Sequence, residues 1–186
     1  MLNKVIYCFL LACLSFSIDN FAQLPIWEHL QSHCGEAFEG ELLHPKKEKD
    51  FSGKELVMHI RSCNDSIIYI PFFVGENKSR TWILKKQGET YSLHHDHRYE
   101  DGSPEEQTMY GGYMPNSGFD SLYMFPADDY TCSLIPFACG NVWWITMDEK
   151  YFTYNLRRIG TDRLFSIRFD LSKKVKNPPQ AWGYEE

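Results

Sequence analysis

The chain has little clustered positive charge, and it has few long apolar runs. Its 186 residues carry a formal net charge of −6 at pH 7, and the one basic cluster, residues 46–49, is interrupted by Glu48. Nucleic-acid-binding proteins need clustered Lys and Arg to contact phosphates, so the composition argues against such a partner. Beyond the N-terminal segment, no stretch approaches the roughly 20 apolar residues that a membrane-spanning helix requires.

Sequence motifs of several enzyme classes are also missing. The chain contains no Gly-x-Ser-x-Gly and no Cys-x-x-Cys, and no lysine follows Gly111, Gly112 or Gly118 at the spacing of a phosphate-binding loop. The first absence argues against a serine hydrolase, the second against a zinc site built on cysteines, and the third against a P-loop. The glycines are more typical of a bulge or a tight turn.

The N-terminal segment predicts export. Lys4 precedes an apolar run over residues 5–16, and this order is typical of a secretory signal over residues 1–22 that leaves one domain over residues 23–186. We therefore expect a periplasmic or extracellular protein without a transmembrane segment in the mature chain. Alternatively, residues 10–13 resemble a lipoprotein cleavage box, which would place a lipid anchor on Cys13.

Outside this signal the chain has four cysteines: Cys34, Cys63, Cys132 and Cys139. An even number in an oxidising compartment predicts two disulfides, for which three connectivities are possible. We favour the pairing of Cys132 with Cys139, because it closes a short loop. Cys34 and Cys63 would then tie an N-terminal helix to a strand.

Hydrophobic spacing predicts one helix followed by strands. Apolar residues recur at helical intervals over residues 24–34, Pro25 suits the first turn, and Gly35 can end the helix. Ten short segments after it combine β-forming residues with turn residues between them. They cover residues 37–43, 55–62, 66–73, 80–86, 91–99, 107–113, 119–125, 141–147, 150–158 and 164–171.

The predicted fold class is all-β. Short connections such as residues 87–89 favour antiparallel hairpins, and about ten such strands must hide their edges. A closed barrel with the helix at one end does this best, and a two-sheet sandwich is the alternative. The barrel resembles the calycin architecture of lipocalins and fatty-acid-binding proteins. That likeness concerns the fold and does not define a function.

The segment from His94 to Gly102 concentrates histidines and charged residues within a predicted strand and the turn after it. Because side chains alternate along a strand, His95 and His97 share one face while His94, Asp96 and Arg98 share the other. Leu93 lies on the face of His95, so we expect His95 and His97 to point into the barrel.

Three functions remain open for this segment. The first is a binding site for a small apolar or aromatic ligand, lined by a set of five residues: His95, His97, Arg98, Trp82 and Tyr110. The second is an enzyme that uses the two histidines as a base or as metal ligands. The third metal ligand would be Glu100, Asp101, His59 or an acid on a neighbouring strand such as Asp128. A transition metal is therefore a possible cofactor, although only two ligands are evident.

The third function is structural, as a surface or interaction protein of the cell envelope. In that case Asp96 and Glu100 would pair with Arg98 and brace a loop. Most of the aromatic side chains, 16% of the residues, would then simply fill the core.

Several short segments in order resemble a family of exported bacterial proteins of unknown function. They are residues 79–82 (SRTW), 95–98 (HDHR) with 100–102 (EDG), 109–112 (MYGG), 125–128 (FPAD) and 141–143 (NVW). Tyr99 stands where the resemblance leads us to expect a further histidine. The resemblance implies an exported domain and no particular reaction.

Overall fold

The computed structural model describes residues 25–184. The predicted signal peptide, including Cys13, lies outside the described residues. The chain forms an all-β, nearly closed antiparallel barrel, as expected, and not a sandwich. Its strands are β1 (Glu36–His44), β2 (Leu56–Ile60), β3 (Ser62–Cys63), β4 (Ile67–Val74), β5 (Asn77–Gln87), β6 (Thr90–His97), β7 (Tyr110–Tyr113), β8 (Leu122–Pro126), β9 (Asn141–Met147), β10 (Tyr151–Arg158) and β11 (Leu164–Val175).

Ten of these strands follow one another around the barrel in the order β7-β6-β5-β4-β2-β1-β11-β10-β9-β8, and β3 pairs only with β4. The two end strands, β7 and β8, meet through a bridge between Gly112 and Ala127. The Asp128 N–H also donates to the Gly111 carbonyl at 3.0 Å. This seam nearly closes the barrel and leaves little exposed strand edge.

Helix α1 (Ile26–Ser32) closes one end of the barrel. It is shorter than the predicted 24–34, because Pro25 lies before its first turn and Gly35 takes a positive φ just after it. Ile26, Trp27 and Leu30 are fully buried in the core, and the Trp27 ring lies 5.5 Å from that of Tyr91 on β6. None of the helices in residues 25–184 is long and apolar enough to span a bilayer.

A second helix, α2 (Asp129–Leu134), corrects the expectation that only strands follow α1. Asp128 begins it as an N-cap, since its carboxylate accepts from the Thr131 N–H at 2.7 Å. A single 3-10 turn, Pro136–Ala138, follows. Residues 129–139 together form a cap, within which the predicted Cys132–Cys139 disulfide joins α2 to the residue that follows the 3-10 turn.

The other disulfide joins Cys34 to Cys63, so the favoured pairing of the four cysteines is confirmed. It ties the end of α1 to β3. Two disulfides are typical of proteins from oxidising compartments.

Candidate ligand-binding cavity

The barrel encloses a cavity of about 230 Å³ at the end opposite α1. Side chains of β4, β5, β6, β7, β9, β10 and β11 line it, together with residues 51, 107 and 163 from the connections between strands, and the cap contributes Ile135, Phe137 and Ala138. The cap is held there by Thr131, whose hydroxyl accepts from the Gly111 N–H at 2.7 Å and donates to the Gly111 carbonyl at 2.9 Å. The cavity is therefore bounded by rigid strands on its sides and by a fixed cap at its opening.

Four of the five predicted ligand-binding residues line this cavity: His95, His97, Trp82 and Tyr110. The two histidines share the inward face of β6, as the alternation predicts. Trp143 on β9 also points inward and is 1% exposed, whereas the neighbouring Trp144 points away from the core. A cavity, rather than a fully packed core, lies in front of His95 and His97.

His95 has both ring nitrogens occupied. Its Nδ1 lies 3.0 Å from the Tyr110 carbonyl oxygen, so this nitrogen carries the proton and donates. The Tyr154 hydroxyl then donates to Nε2 at 2.7 Å. The Tyr110 ring stacks on the imidazole with 4.7 Å between centroids. His95 is thereby held in one tautomer and one orientation.

His97 is held by Tyr110, since the Tyr110 hydroxyl is hydrogen-bonded to its Nε2 at 3.0 Å. Burial is the main cause that lowers the pKa of His95 to about 3 and that of His97 to about 4. The positive charge of Arg80 lowers the pKa of His97 further. Both imidazoles are therefore neutral near pH 7, and burial raises the pKa of Tyr110 to about 12.

Parallel aromatic rings form one wall of the cavity. We call Phe51, Phe72, Trp82 and Tyr154 the aromatic ladder, since each ring stacks on the next with interplanar angles of 13–14°. The centroid distances are 6.2, 4.8 and 4.3 Å along this series. Because these rings cover one another's faces, they present mainly their edges to the cavity, and the wall that they form is apolar.

Arg98, the fifth predicted residue, does not line the cavity. It lies on the outer face of β6, where its Nε donates to Asp96 at 2.8 Å and its Nη1 donates to the Gly102 carbonyl. Asp96 also accepts from Thr108 and from Tyr184 of the C-terminal tail. The alternation that turns the two histidines inward turns Arg98 outward, where it braces the following loop and the tail.

Glu100 likewise stays away from the histidines. It is exposed in the turn after β6, and Asp128 caps α2 and pairs with His94 on the outer face at 3.3 Å. Within residues 25–184, no group of three or more His, Cys, Asp or Glu side chains could hold a metal ion. The predicted metal set of His95, His97 and Glu100 does not come together, and the expected Glu100–Arg98 pair is not formed.

Three arginines that were not predicted from the sequence also line the cavity. They are Arg80 on β5, Arg158 on β10 and Arg163 in the turn before β11. The sequence did indicate two of them, because Arg80 is two positions from Trp82 and Arg158 is four positions from Tyr154. Residues an even number of positions apart on a strand share a face. The same period that selected the histidines could have placed both arginines on an inward face. Arg163 and the cap residues carry no such local signal.

No protein-family model matches this chain, and no curated protein or solved structure matches it either.

Proposed function

We propose that this protein is an exported binding protein that holds a small, largely apolar ligand inside its barrel. The observation that carries the proposal is the cavity in front of His95 and His97, where aromatic side chains line a solvent-connected space. Small-molecule sites are concave and mostly apolar, with a few fixed polar groups that orient the ligand. The two disulfides support export, because such bonds persist in oxidising compartments.

The fixed polar groups suit binding better than proton transfer. A general base works best when its pKa lies near the operating pH, whereas the pKa values of His95 and His97 lie near 3 and 4. Their hydrogen bonds to Tyr154 and Tyr110 also keep the rings in one orientation. Such rings present a shaped, neutral surface to a ligand, while His97 Nδ1 lies 3.9 Å from the Glu105 carboxylate.

The size of the cavity limits the ligand. Typical ligand pockets occupy about 300–1,000 Å³, and this one, at about 230 Å³, lies just below that range. A ligand of two or three rings, or a short chain, matches this volume. The aromatic ladder favours a ligand with an apolar body.

Titration with the neutral fluorescent probe N-phenyl-1-naphthylamine tests the proposal. We expect saturable binding with one probe per chain, accompanied by quenching of tryptophan emission as the probe meets Trp82 and Trp143. Leu156→Trp, which fills the cavity from β10, should weaken binding by about tenfold or more, since a bulky ring then occupies the site.

The matched control is Leu164→Trp, because this residue lies on β11 outside the set of cavity-lining residues. It should bind the probe like the unmodified protein. Circular dichroism and a thermal melt would establish that both variants fold. Absence of saturable binding, or equal binding by Leu156→Trp, would contradict the proposal and favour a structural role in the envelope.

A further inference from the structure

The cavity is positively charged although the whole chain is acidic. Three of its lining residues are arginines, Arg80, Arg158 and Arg163, and every other lining side chain is aromatic, aliphatic or a neutral polar group. No aspartate or glutamate is among the described residues that line it. The formal net charge of the chain is −6, so the sign of the cavity is opposite to that of the protein.

Two of these arginines have neutral partners. Arg80 Nη1 donates to the Asn77 side-chain oxygen at 2.7 Å, and Arg158 Nε donates to the Asn141 side-chain oxygen at 2.9 Å. Neither forms an ion pair with a carboxylate in the part of the chain that the structure describes. Amide oxygens orient a guanidinium group but leave its charge in place, and guanidinium N–H groups remain available to a ligand.

Arg163 differs from the other two, because its Nη1 donates to the Glu48 carboxylate at 2.6 Å. That ion pair largely offsets its charge. The uncompensated charge of the cavity therefore lies on Arg80 and Arg158, while the two histidines are neutral near pH 7.

Both guanidinium groups lie beside aromatic rings. The Arg80 guanidinium carbon is 5.6 Å from the centre of the Phe51 ring at one end of the aromatic ladder. That of Arg158 is 4.9 Å from the Phe137 ring in the cap. The site thus combines an apolar aromatic wall with positive charge. A half-buried charge without a counter-ion is stabilised when an anion binds.

We infer that the ligand is a small, largely apolar acid. Its apolar body packs against the aromatic ladder, and its anionic group, a carboxylate or a similar oxyacid, accepts hydrogen bonds from Arg80 and Arg158. This inference rests on the proposed function and adds the charge and polarity of the ligand to it. It also assigns two ligand-binding residues that lie outside the histidine segment.

Two probes that share the same rings test the inference. 1-Anilinonaphthalene-8-sulfonate carries an anionic group that N-phenyl-1-naphthylamine lacks. We expect the unmodified protein to bind the sulfonate about tenfold more tightly at low ionic strength, because charge-assisted hydrogen bonds to arginine are stronger than neutral ones. Added salt should reduce this preference, since partly exposed charges are screened.

Arg80→Gln and Arg158→Gln should each lower the ratio of sulfonate affinity to neutral-probe affinity, and the double variant should bring it to about one. The control is Arg168→Gln. Arg168 lies on the outer face of β11, where it pairs with Glu41 at 2.8 Å, so its loss should leave the ratio unchanged.

The possible outcomes separate the two proposals. If the neutral probe binds in the cavity and the sulfonate binds no more tightly, the inference is overturned while the proposed function stands. If neither probe binds, the proposed function fails. If Arg168→Gln lowers the ratio as much as Arg80→Gln, the preference reflects general surface charge and the inference is wrong. Where a variant does not fold, the unmodified protein still tests the inference, because a sulfonate preference that added salt does not reduce would contradict it.

Discussion

Burial keeps the two imidazoles of the cavity uncharged, and two tyrosine hydroxyls hold them in place. The Tyr154 hydroxyl contacts His95 and the Tyr110 hydroxyl contacts His97, so neither ring can rotate without breaking a hydrogen bond. The net contribution of such a hydrogen bond to stability is about 1 kcal/mol, but leaving a buried partner unsatisfied costs about 1–3 kcal/mol. These side chains therefore stabilise the barrel as well as line its cavity.

The same burial predicts that acid destabilises the protein. The unfolded chain binds protons at histidine near the ordinary pKa of 6.5, whereas the folded state resists protonation of His95 until about pH 3 and of His97 until about pH 4. The free energy of unfolding should thus fall as the pH drops below about 6.5. Each of the two residues contributes up to about 1.4 kcal/mol per pH unit in this window.

Urea denaturation at a series of pH values measures this dependence. His95→Gln removes one of the titrating groups, so its stability should decline less steeply between about pH 6.5 and pH 4. The control is His44→Gln, at an exposed position on β1, which should keep the slope of the unmodified protein. If the pH dependence of stability is unchanged in His95→Gln, His95 is not a buried, uncharged imidazole in the folded state.

Two short elements, helix α1 and the cap, close the two ends of the barrel, and a disulfide fixes each of them. Cys34–Cys63 joins residues separated by 29 positions and ties the end of α1 to β3. Cys132–Cys139 spans 7 positions within the cap. The first cross-link restrains a longer loop of the unfolded chain, so the entropic model assigns it the larger stabilisation.

We therefore expect unequal losses when each disulfide is removed. Replacing Cys34 and Cys63 by serine should lower the free energy of unfolding by about 3–4 kcal/mol, and replacing Cys132 and Cys139 by about 2 kcal/mol. Urea denaturation of the two double variants measures both values. A larger loss for the cap variant would mean that native packing of the cap, rather than loop entropy, dominates its contribution.

For the molecule as a whole, the decisive feature is the seam between β7 and β8. Strand β7 approaches β8 closely at Gly112 and approaches β6 closely at Gly111, because neither glycine has a side chain. A Cβ atom at Gly112 would lie 1.8 Å from the Pro126 carbonyl oxygen, and one at Gly111 would lie 1.9 Å from that of Leu93. Any side chain at these positions must push the strands apart.

Gly112→Ala should accordingly open the seam and destabilise the barrel by about 2 kcal/mol or more. The Asp128 amide, which donates to the Gly111 carbonyl, should exchange its hydrogen faster. Gly160→Ala is the control, because its Cβ would meet no atom within 4 Å and only its positive φ, +78°, is unfavourable. That change should cost about 1 kcal/mol, and an equal cost for both variants would show that the seam tolerates separation.

Local patterns in the sequence were enough to predict the class of fold and much of the inward face. Alternation along single strands is a property of neighbouring residues, so it correctly directed His95 and His97 inward and predicted β9 at residues 141–147 with its observed bounds. The cysteine spacing likewise led to the observed disulfides. Helix α2 in the cap was not predicted, because its start depends on the capping carboxylate of Asp128 rather than on apolar periodicity.

The composition of the cavity depended on the closure of the barrel. Phe51, Arg80, Arg158 and Arg163 come from distant segments, and only the pairing of β1 with β11 and the seam between β7 and β8 bring their strands around one space. Arg98 shows the converse, because it is adjacent to His97 in sequence yet lies outside the barrel. Sequence periodicity determines which side of a strand a residue occupies, whereas closure and register between distant strands decide which residues meet across the interior.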